Sequence, residues 1–230
     1  MSPSLDLAPD VVDIWTAPLD VDAHEMDAMM SRLSSAERKR AAGVLEERAV
    51  RQYVVSRAMQ REILAGYAGG SPADIQFGVV AMGKPTLSRP NDIGIQFNTT
   101  HSGNLVIIAV TLNREVGVDV EEVRPVPRAL QVSRRCFSED EHRSLESLTE
   151  SQLPRAFLSI WVKREGTAKA RGDGVWRGLA SWKGGANEAL AREFTVRPLD
   201  LGPRFVGVVV ARGEDWRVVM RGRPPGSEVI

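Results

Sequence analysis

The sequence predicts an α+β fold made of two similar lobes. Segments with helical and strand character follow one another as helices, strands, helices and strands. The 230 residues are enough for two units of roughly 110 residues, each able to bury its own core. The chain shows no strict repeat, so the lobes resemble each other in element order alone. The boundary is expected between Val116 and Arg124, giving lobes 1–116 and 117–230.

Composition limits where the protein works and what it binds. The 30 basic and 30 acidic residues cancel, so no global field favours nucleic acid or an anionic membrane, and any anion site must be local. The single cysteine, Cys136, excludes an internal disulfide and a cysteine-built zinc site, as expected in a reducing compartment. The chain has neither a signal-peptide pattern nor about 18 consecutive apolar residues, which predicts a cytoplasmic protein.

The first half begins with helical signals. The predicted elements are a strand over 11–15, a helix over 22–33, and a helical stretch from a Ser34–Ser35 cap to about Tyr67 that is broken near Gly43. The long stretch is rich in arginine and interleaved with glutamate, which is typical of a solvated face. Arg48 and Arg51, however, lie one turn apart and together are able to grip a phosphate. Both interpretations remain open.

Strands follow the helices. They are predicted over 75–80, 93–97, 105–112 and 116–121, and their short turns favour antiparallel pairing. The polar segment Asn98–Gly103 between two of them is expected to be a loop. It is either a capped turn with a solvent-facing His101, or an anion loop in which backbone amides, hydroxyls and His101 contact a phosphate.

The second half repeats the order. Ser138 and Glu141 form a capping-box pattern that predicts a helix to about Leu148. A longer helix is expected from 151 or 154 to Arg171, with Gly172 as its stop. Strands are predicted over 194–196, 205–211 and 216–220.

Charged residues with metal-site chemistry lie on two of these elements. In a strand, Asp119 and Glu121 point to the same side. On a helix, Trp161, Glu165 and Lys169 share one face. Three carboxylates with a lysine suit a hard divalent ion such as Mg²⁺ and a phosphate better than they suit zinc. A solvated charged face explains either motif taken alone.

The order of four motifs along the chain favours a functional site over a solvated face. These motifs are Gly83-Lys84-Pro85, Phe97–Ser102, Gly117–Glu121 and Trp161–Lys169. From about Ser35 to Gly174 the chain resembles the two-lobed, surfactin-synthetase-activating (Sfp) type of 4'-phosphopantetheinyl transferase. The resemblance implies a pseudo-twofold monomer with its active site at the lobe interface. It implies Mg²⁺-dependent transfer of the phosphopantetheine arm of coenzyme A to a serine of an acyl or peptidyl carrier protein. Whether the carrier serves fatty-acid, polyketide or nonribosomal peptide synthesis stays open.

The resemblance also assigns roles by motif. Asp119, Glu121 and Glu165 would bind Mg²⁺, Glu165 would activate the carrier serine directly or through water, and Lys169 would contact the pyrophosphate. The remaining coenzyme A contacts would be Thr100 and His101 at phosphates, Lys84 near the adenine and ribose phosphate, and Arg48 and Arg51 at the 3'-phosphate.

Three positions depart from the family pattern. Arg164 replaces a usual lysine and is not a plausible base. Gly166 replaces Ala or Ser, and glycine weakens a helix by about 1 kcal/mol relative to alanine. Thr100 replaces a serine. The rival interpretation, with Arg164 and Gly166 as its only hints, is a protein of the same fold that binds coenzyme A or a carrier without turnover. A basic patch at Arg128, Arg134 and Arg135 is either a dock for an acidic carrier or a solvated helix face.

Overall fold

The computed structural model describes residues 5–79, 83–172 and 193–222. The chain divides into two compact units. The described part of the first comprises 5–79, 85–114 and 216–222, and that of the second comprises 83–84, 115–172 and 193–215. The predicted lobes, 1–116 and 117–230, therefore differ from the units mainly at the C-terminal end. None of the described helices is long and apolar enough to cross a membrane.

The first unit combines helices with a four-stranded sheet and a separate two-stranded ribbon. Its elements are β1 (Val11–Pro18), α1 (Ala23–Arg32), α2 (Ser35–Ala42), α3 (Glu47–Ala68), a 3₁₀ turn (Pro72–Asp74), β2 (Gln76–Val79), β3 (Pro85–Arg89), β4 (Ile95–Ser102), β5 (Leu105–Leu112) and β9 (Arg217–Gly222). The sheet has the order β4-β5-β1-β9, and β2 pairs with β3. Strand β1 runs antiparallel to β5 and parallel to β9. This parallel pairing is why the last described strand belongs to the first unit.

Capping residues set the helix bounds in this unit. Asp22 and Ser34 each form a capping box, with Glu25 and Glu37 as the reciprocal partners. The helical stretch predicted from Ser34 to Tyr67 is two helices, because α2 ends at the Gly43 cap and α3 starts only after Glu46. Helix α3 packs an apolar face against the sheet, which forms the core of the unit.

The segment Asn98–Gly103 was predicted as a loop, and this prediction is wrong. Residues 98–102 continue β4, and Ser102 pairs with Leu105 across a two-residue turn. The cause is the partner strand. The apolar β5 is paired along its full length, from Leu105 opposite Ser102 to Leu112 opposite Ile95, and so extends β4 through the polar residues.

The second unit packs one long helix on a three-stranded sheet. Its elements are β6 (Val116–Glu122), α4 (Ala129–Cys136), α5 (Glu139–Glu146), α6 (Leu153–Arg171), β7 (Phe194–Pro198) and β8 (Phe205–Arg212), and the antiparallel sheet has the order β6-β8-β7. The predicted Ser138 capping box and the left-handed stop at Gly172 are both present. Phe157, Leu158 and Val162 of α6 share the core with Val208 and Val210 of β8.

Helix α6 approaches β6 unusually closely. A Cβ added at Gly117 would overlap the carbonyl oxygen of Gly166 and the main-chain nitrogen of Ala170. A Cβ at Gly166 would meet the methyl groups of Val208 and Val210 at 3.2 and 3.1 Å. Glycine at both positions therefore lets the helix backbone lie directly on the sheet.

Candidate active site

The close packing of α6 on β6 joins an aspartate to a lysine. The Lys169 ammonium donates to Oδ1 of Asp119 at 2.6 Å and to the carbonyl of Val118 at 3.3 Å. Asp119 is only 5% exposed. A buried carboxylate needs such a partner, because desolvation strongly disfavours its charged form.

Glu165 lies one helical turn before Lys169 and is also 5% exposed. Its Oε1 atom is buried and makes no hydrogen bond within the described part of the chain. Burial raises the pKa of Glu165, the negative charges of Asp119 and Glu121 raise it further, and the Lys169 ammonium partly opposes them. Glu165 is therefore an electrostatically stressed carboxylate with an unsatisfied oxygen.

Glu121 completes the acidic group from the same strand. Asp119 and Glu121 are two residues apart on β6, opposite Val208 and Val206 of β8, and so lie on one face of the sheet. Glu121 is half-buried and lies 3.9 Å from the guanidinium of Arg124. The electrostatic influence of both carboxylates on Glu165 is consistent with the face predicted from the sequence.

The group has the chemistry of a divalent-metal site without a preformed cage. Among the described residues, no three His, Cys, Asp or Glu side chains are already arranged to hold a metal ion. Three carboxylates against the Lys169 ammonium and the Arg124 guanidinium nevertheless leave an excess of negative charge. Within the described part of the chain, the buried Oε1 of Glu165 is an oxygen without a hydrogen-bond partner. Hard cations such as Mg²⁺ prefer oxygen donors and complete their shell with water and phosphate. The residues present therefore fit such an ion.

Lys84 has main-chain partners in the second unit. Its ammonium donates to the carbonyl oxygens of Val116 at 3.0 Å and Ala170 at 3.2 Å. Burial lowers its pKa, and the charge of Glu115 partly offsets this. A contact with the ligand, as predicted from the sequence, would require these hydrogen bonds to be weakened or shared.

In the first unit, the β4–β5 hairpin and α3 bring together some of the predicted phosphate ligands. Thr100 is buried and His101 is exposed. The exposed Arg48 reaches the carbonyl of Gly103, in the hairpin turn, at 3.4 Å. Arg48 and His101 therefore approach the same end of the hairpin, which was not evident from their separation in the sequence.

Arg51 is held differently from Arg48. Its guanidinium donates to the carbonyl of Val21 at 2.7 Å and to the carboxylates of Asp20 and Glu47 at 3.2 Å each. These contacts attach α3 to the segment that precedes α1. Arg48 and Arg51 were predicted from their one-turn spacing to bind a phosphate together. In the structure Arg48 is accessible, whereas Arg51 is engaged in intramolecular hydrogen bonds.

The partner of Arg164 was not predicted from the sequence. This side chain forms an ion pair with Glu141 of α5, and its guanidinium carbon lies 5.3 Å from the centre of the Phe137 ring. The capping-box pattern identified Glu141 as a helix cap but gave no indication of a contact 23 residues away.

Comparisons with known proteins give one consistent result. Residues 115–204 match the 4'-phosphopantetheinyl transferase superfamily, and residues 19–113 match the N-terminal part of 4'-phosphopantetheinyl transferases. The chain is 34% identical over 174 residues to the 4'-phosphopantetheinyl transferase HetI of Nostoc sp., covering 75% of this chain and 73% of that protein.

Two further relatives extend this comparison. A putative 4'-phosphopantetheinyl transferase of Synechocystis sp. is 30% identical over 166 residues, which are 72% of this chain and 67% of the relative. The 4'-phosphopantetheinyl transferase Sfp of Bacillus subtilis is 24% identical over 151 residues, which are 66% of this chain and 65% of Sfp.

Proposed function

The chain belongs to the 4'-phosphopantetheinyl transferase superfamily, and on that premise we propose that Asp119, Glu121 and Glu165 bind Mg²⁺ for its reaction. The enzyme transfers the 4'-phosphopantetheine group of coenzyme A to a carrier protein. The observation that carries the metal proposal is the buried, partnerless Oε1 of Glu165 beside two further carboxylates. A bound Mg²⁺ supplies charge neutralisation at the pyrophosphate.

The chemistry of the transfer defines what the protein residues must do. The serine hydroxyl oxygen of the carrier forms a bond to the β-phosphorus of coenzyme A. The bond from that phosphorus to the bridging oxygen breaks, and adenosine 3',5'-bisphosphate leaves. The serine proton goes to a base, and the charge on the leaving group has to be stabilised. Catalysis is therefore mainly positioning and electrostatics.

Glu165 is the proposed acceptor of the serine proton, directly or through water. In the metal-free protein, burial and the charges of Asp119 and Glu121 raise the pKa of Glu165, which favours proton acceptance, whereas a divalent cation held by the same carboxylates would lower it. The same charges make a second role as metal ligand favourable. Lys169, one turn further along α6, is the proposed pyrophosphate contact, with its ammonium already oriented by Asp119.

The other coenzyme A contacts are proposed from the first unit. Thr100, His101 and Arg48 are the proposed phosphate ligands, supported by the proximity of Arg48 to the hairpin turn after His101. Arg51 would join them only by exchanging its present acceptors, and Lys84 only by sharing its carbonyl bonds. The location of coenzyme A between the lobes stays a prediction.

Contacts within the second unit explain Arg164 and Gly166, the two departures from the family pattern that favoured binding without turnover. Gly166 lies against Val208 and Val210, where a Cβ would be crowded. Arg164 is paired with Glu141. Neither substitution removes a carboxylate from the proposed metal group.

A groove on the second unit is the proposed dock for an acidic carrier. It has a volume of about 440 Å³ and is lined by Val126, Leu130 and Leu153 together with one cationic residue, Arg128, and one acidic residue, Glu150. Arg134 and Arg135 are exposed on the same helix, α4. Apolar contacts in the groove and cationic residues beside it would complement an acidic helical partner. We also propose that the enzyme acts as a cytoplasmic monomer.

Mass spectrometry of an apo-carrier tests the proposal. Incubation with the enzyme, coenzyme A and Mg²⁺ should add one phosphopantetheine, and a chelator should prevent this addition. Glu165→Gln and Asp119→Asn should each lower the transfer rate by about 100-fold or more. Glu139→Gln, at an exposed position of α5, is the matched control and should transfer normally.

Different results would reject different parts of the proposal. Transfer that persists at full rate with a chelator would exclude the metal. Normal transfer by Glu165→Gln would remove Glu165 from the chemistry. Coenzyme A binding without a mass increase on any of several carriers would favour the binding-only alternative.

A further inference from the structure

Arg164 precedes Glu165 in the chain, but its side chain is directed towards the start of α5. Its Nη2 atom donates to Oε2 of Glu141, and the side chain is 13% exposed. Its guanidinium lies over the Phe137 ring, 5.3 Å from the ring centre. The charge of Arg164 is therefore already compensated by a carboxylate and an aromatic face.

Glu141 is also part of the capping box at the start of α5. The same Oε2 atom accepts from the main-chain nitrogen of Ser138 at 2.9 Å and from the Ser138 hydroxyl at 3.0 Å. Although burial raises the pKa of Glu141, the hydrogen bonds from Ser138 and the contact with Arg164 hold it below its ordinary value. Arg164 thus forms an ion pair with a residue of the capping box at the start of α5.

The aromatic residues around this contact extend along α6. Phe137 packs on Phe157 with ring centres 5.0 Å apart, and Phe157 stacks on Trp161 at 6.1 Å. Phe157, Trp161 and Arg164 are spaced by four and three residues and so share one side of the helix. Within the sequence W-x-x-R-E, Trp161 stacks on Phe157 and Arg164 contacts Phe137 and Glu141, whereas Glu165 belongs to the acidic group with Asp119.

We propose that Arg164 is a positioning residue for the transfer reaction. Its bond to Glu141 fixes the rotation of α6 about its own axis, and this rotation sets the direction of the neighbouring Glu165 side chain. Arg164 neither binds a phosphate of coenzyme A nor handles the serine proton. The inference rests on the proposed role of Glu165.

A double-mutant cycle distinguishes positioning from ligand contact. The variants are Arg164→Gln, Glu141→Gln and the double variant, with Arg164→Lys as the conservative replacement. Glutamine at 141 retains an acceptor at this capping position. If the pair acts as a unit, both single variants should lower kcat by a similar factor of about tenfold, and the double variant should be no worse. KM for coenzyme A should stay within about twofold. Arg164→Lys should regain part of kcat, because its ammonium is able to pair with Glu141 although it lacks the planar group that lies over Phe137.

Coenzyme A affinity measured by titration calorimetry adds a readout that does not depend on turnover. All four variants should bind coenzyme A as the wild type does, whereas amides in the first turn of α5 should exchange hydrogen faster in Arg164→Gln. A selective loss of affinity in Arg164→Gln, absent from Glu141→Gln, would overturn the proposal in favour of a ligand contact. Multiplicative losses of kcat in the double variant would also overturn it.

The calorimetric comparison separates this inference from the proposed function. If the wild-type enzyme modified no carrier, the proposed function would fail, yet the affinities would still decide whether Arg164 contacts coenzyme A. If an Arg164 variant did not fold, Arg164→Lys, which keeps the charge, would supply the same comparison. Loss of affinity in that folded variant alone would reject positioning.

Discussion

Gly117 on β6 and Gly166 on α6 meet backbone to backbone, with no room for a side chain at Gly117. This contact brings α6 close enough to β6 for Lys169 to reach Asp119 at 2.6 Å. The candidate site therefore depends on two residues that carry no functional group.

Gly117→Ala should strongly destabilise the second unit. Its methyl group would overlap the main chain of Gly166 and Ala170, and a main chain yields less readily than the end of a flexible side chain. We expect the free energy of unfolding to fall by about 3 kcal/mol, as for severe overpacking, in urea titrations followed by circular dichroism. Gly43→Ala is the control, because its nearest contacts are at 3.5 Å or more and its φ is −87°. Equal stability of the two variants would contradict the close approach.

Lys169→Met should lower stability as well as activity. Without the ammonium, the buried Asp119 loses its ion-pair partner next to Glu165, and breaking such a pair costs about 3 kcal/mol. Urea unfolding without added metal measures this loss. Lys163→Met, at an exposed position of the same helix, should leave stability unchanged. Adding Asp119→Asn to Lys169→Met should restore part of the stability, and its failure to do so would argue against a charge-pair effect.

Arg48→Ala and Arg51→Ala should separate ligand binding from stability. Arg48 is exposed and makes one long contact with Gly103, so its loss should raise KM for coenzyme A with little change in melting temperature. Arg51 has three acceptors within the unit, so its loss should lower the melting temperature. Steady-state kinetics and thermal unfolding of both variants provide the test. An unchanged KM in Arg48→Ala would remove this residue from the phosphate site.

Lys84→Met should reduce stability by about 1–2 kcal/mol, because it leaves the carbonyls of Val116 and Ala170 without their donor. KM for coenzyme A should change little, since the ammonium is already engaged. Thermal unfolding and kinetics on one preparation measure both quantities. A large rise in KM at an unchanged melting temperature would instead support the ligand contact predicted from the sequence.

Glu37→Gln should alter the acid stability of the first unit. Burial raises the pKa of Glu37, but hydrogen bonds from Arg61 and Ser34 and the charge of Arg61 outweigh it and lower the pKa below its ordinary value. The carboxylate therefore contributes stability above its ordinary pKa, and this contribution is lost as pH falls through the folded value.

Comparing the stability of the wild type and Glu37→Gln across pH tests whether the pKa of Glu37 is lowered. The variant should be less stable by about 2 kcal/mol at pH 7, and the difference should shrink as acid titrates the wild-type carboxylate. Urea unfolding over a series of pH values measures it, with the exposed Glu139→Gln as control. A difference that grew towards low pH would mean that the pKa is raised.

Elements whose signals are local in the sequence were predictable. The Ser138 cap and the Gly172 stop are found where their residue types require, and strand β5 covers the predicted residues 105–112. Strand β4 was predicted too short because its extension comes from pairing with β5, a non-local cause. The break predicted near Gly43 is present, but its extent, from Gly43 to Glu46, was not predicted.

The candidate site was predictable in its residue types but not in its contacts. Alternation along β6 and helical spacing along α6 identified Asp119, Glu121, Glu165 and Lys169. Neither pattern shows that Lys169 reaches Asp119, that Arg164 grips Glu141, or that Lys84 donates to two main-chain carbonyls. Such contacts depend on how elements pack, and periodicity within a single element carries no information about its neighbour.

Strand β9 has a consequence for synthesis on the ribosome. Asp13 of β1 is fully buried, and its Oδ1 is bound by Arg221 of β9 at 2.8 Å. Asp13 is translated early, whereas Arg221, which neutralises its charge, is translated some 200 residues later. Until β9 is made, the edge of β1 that pairs with it stays open, and Asp13 lacks the Arg221 partner. The whole second unit is therefore translated while this edge of the sheet is unpaired.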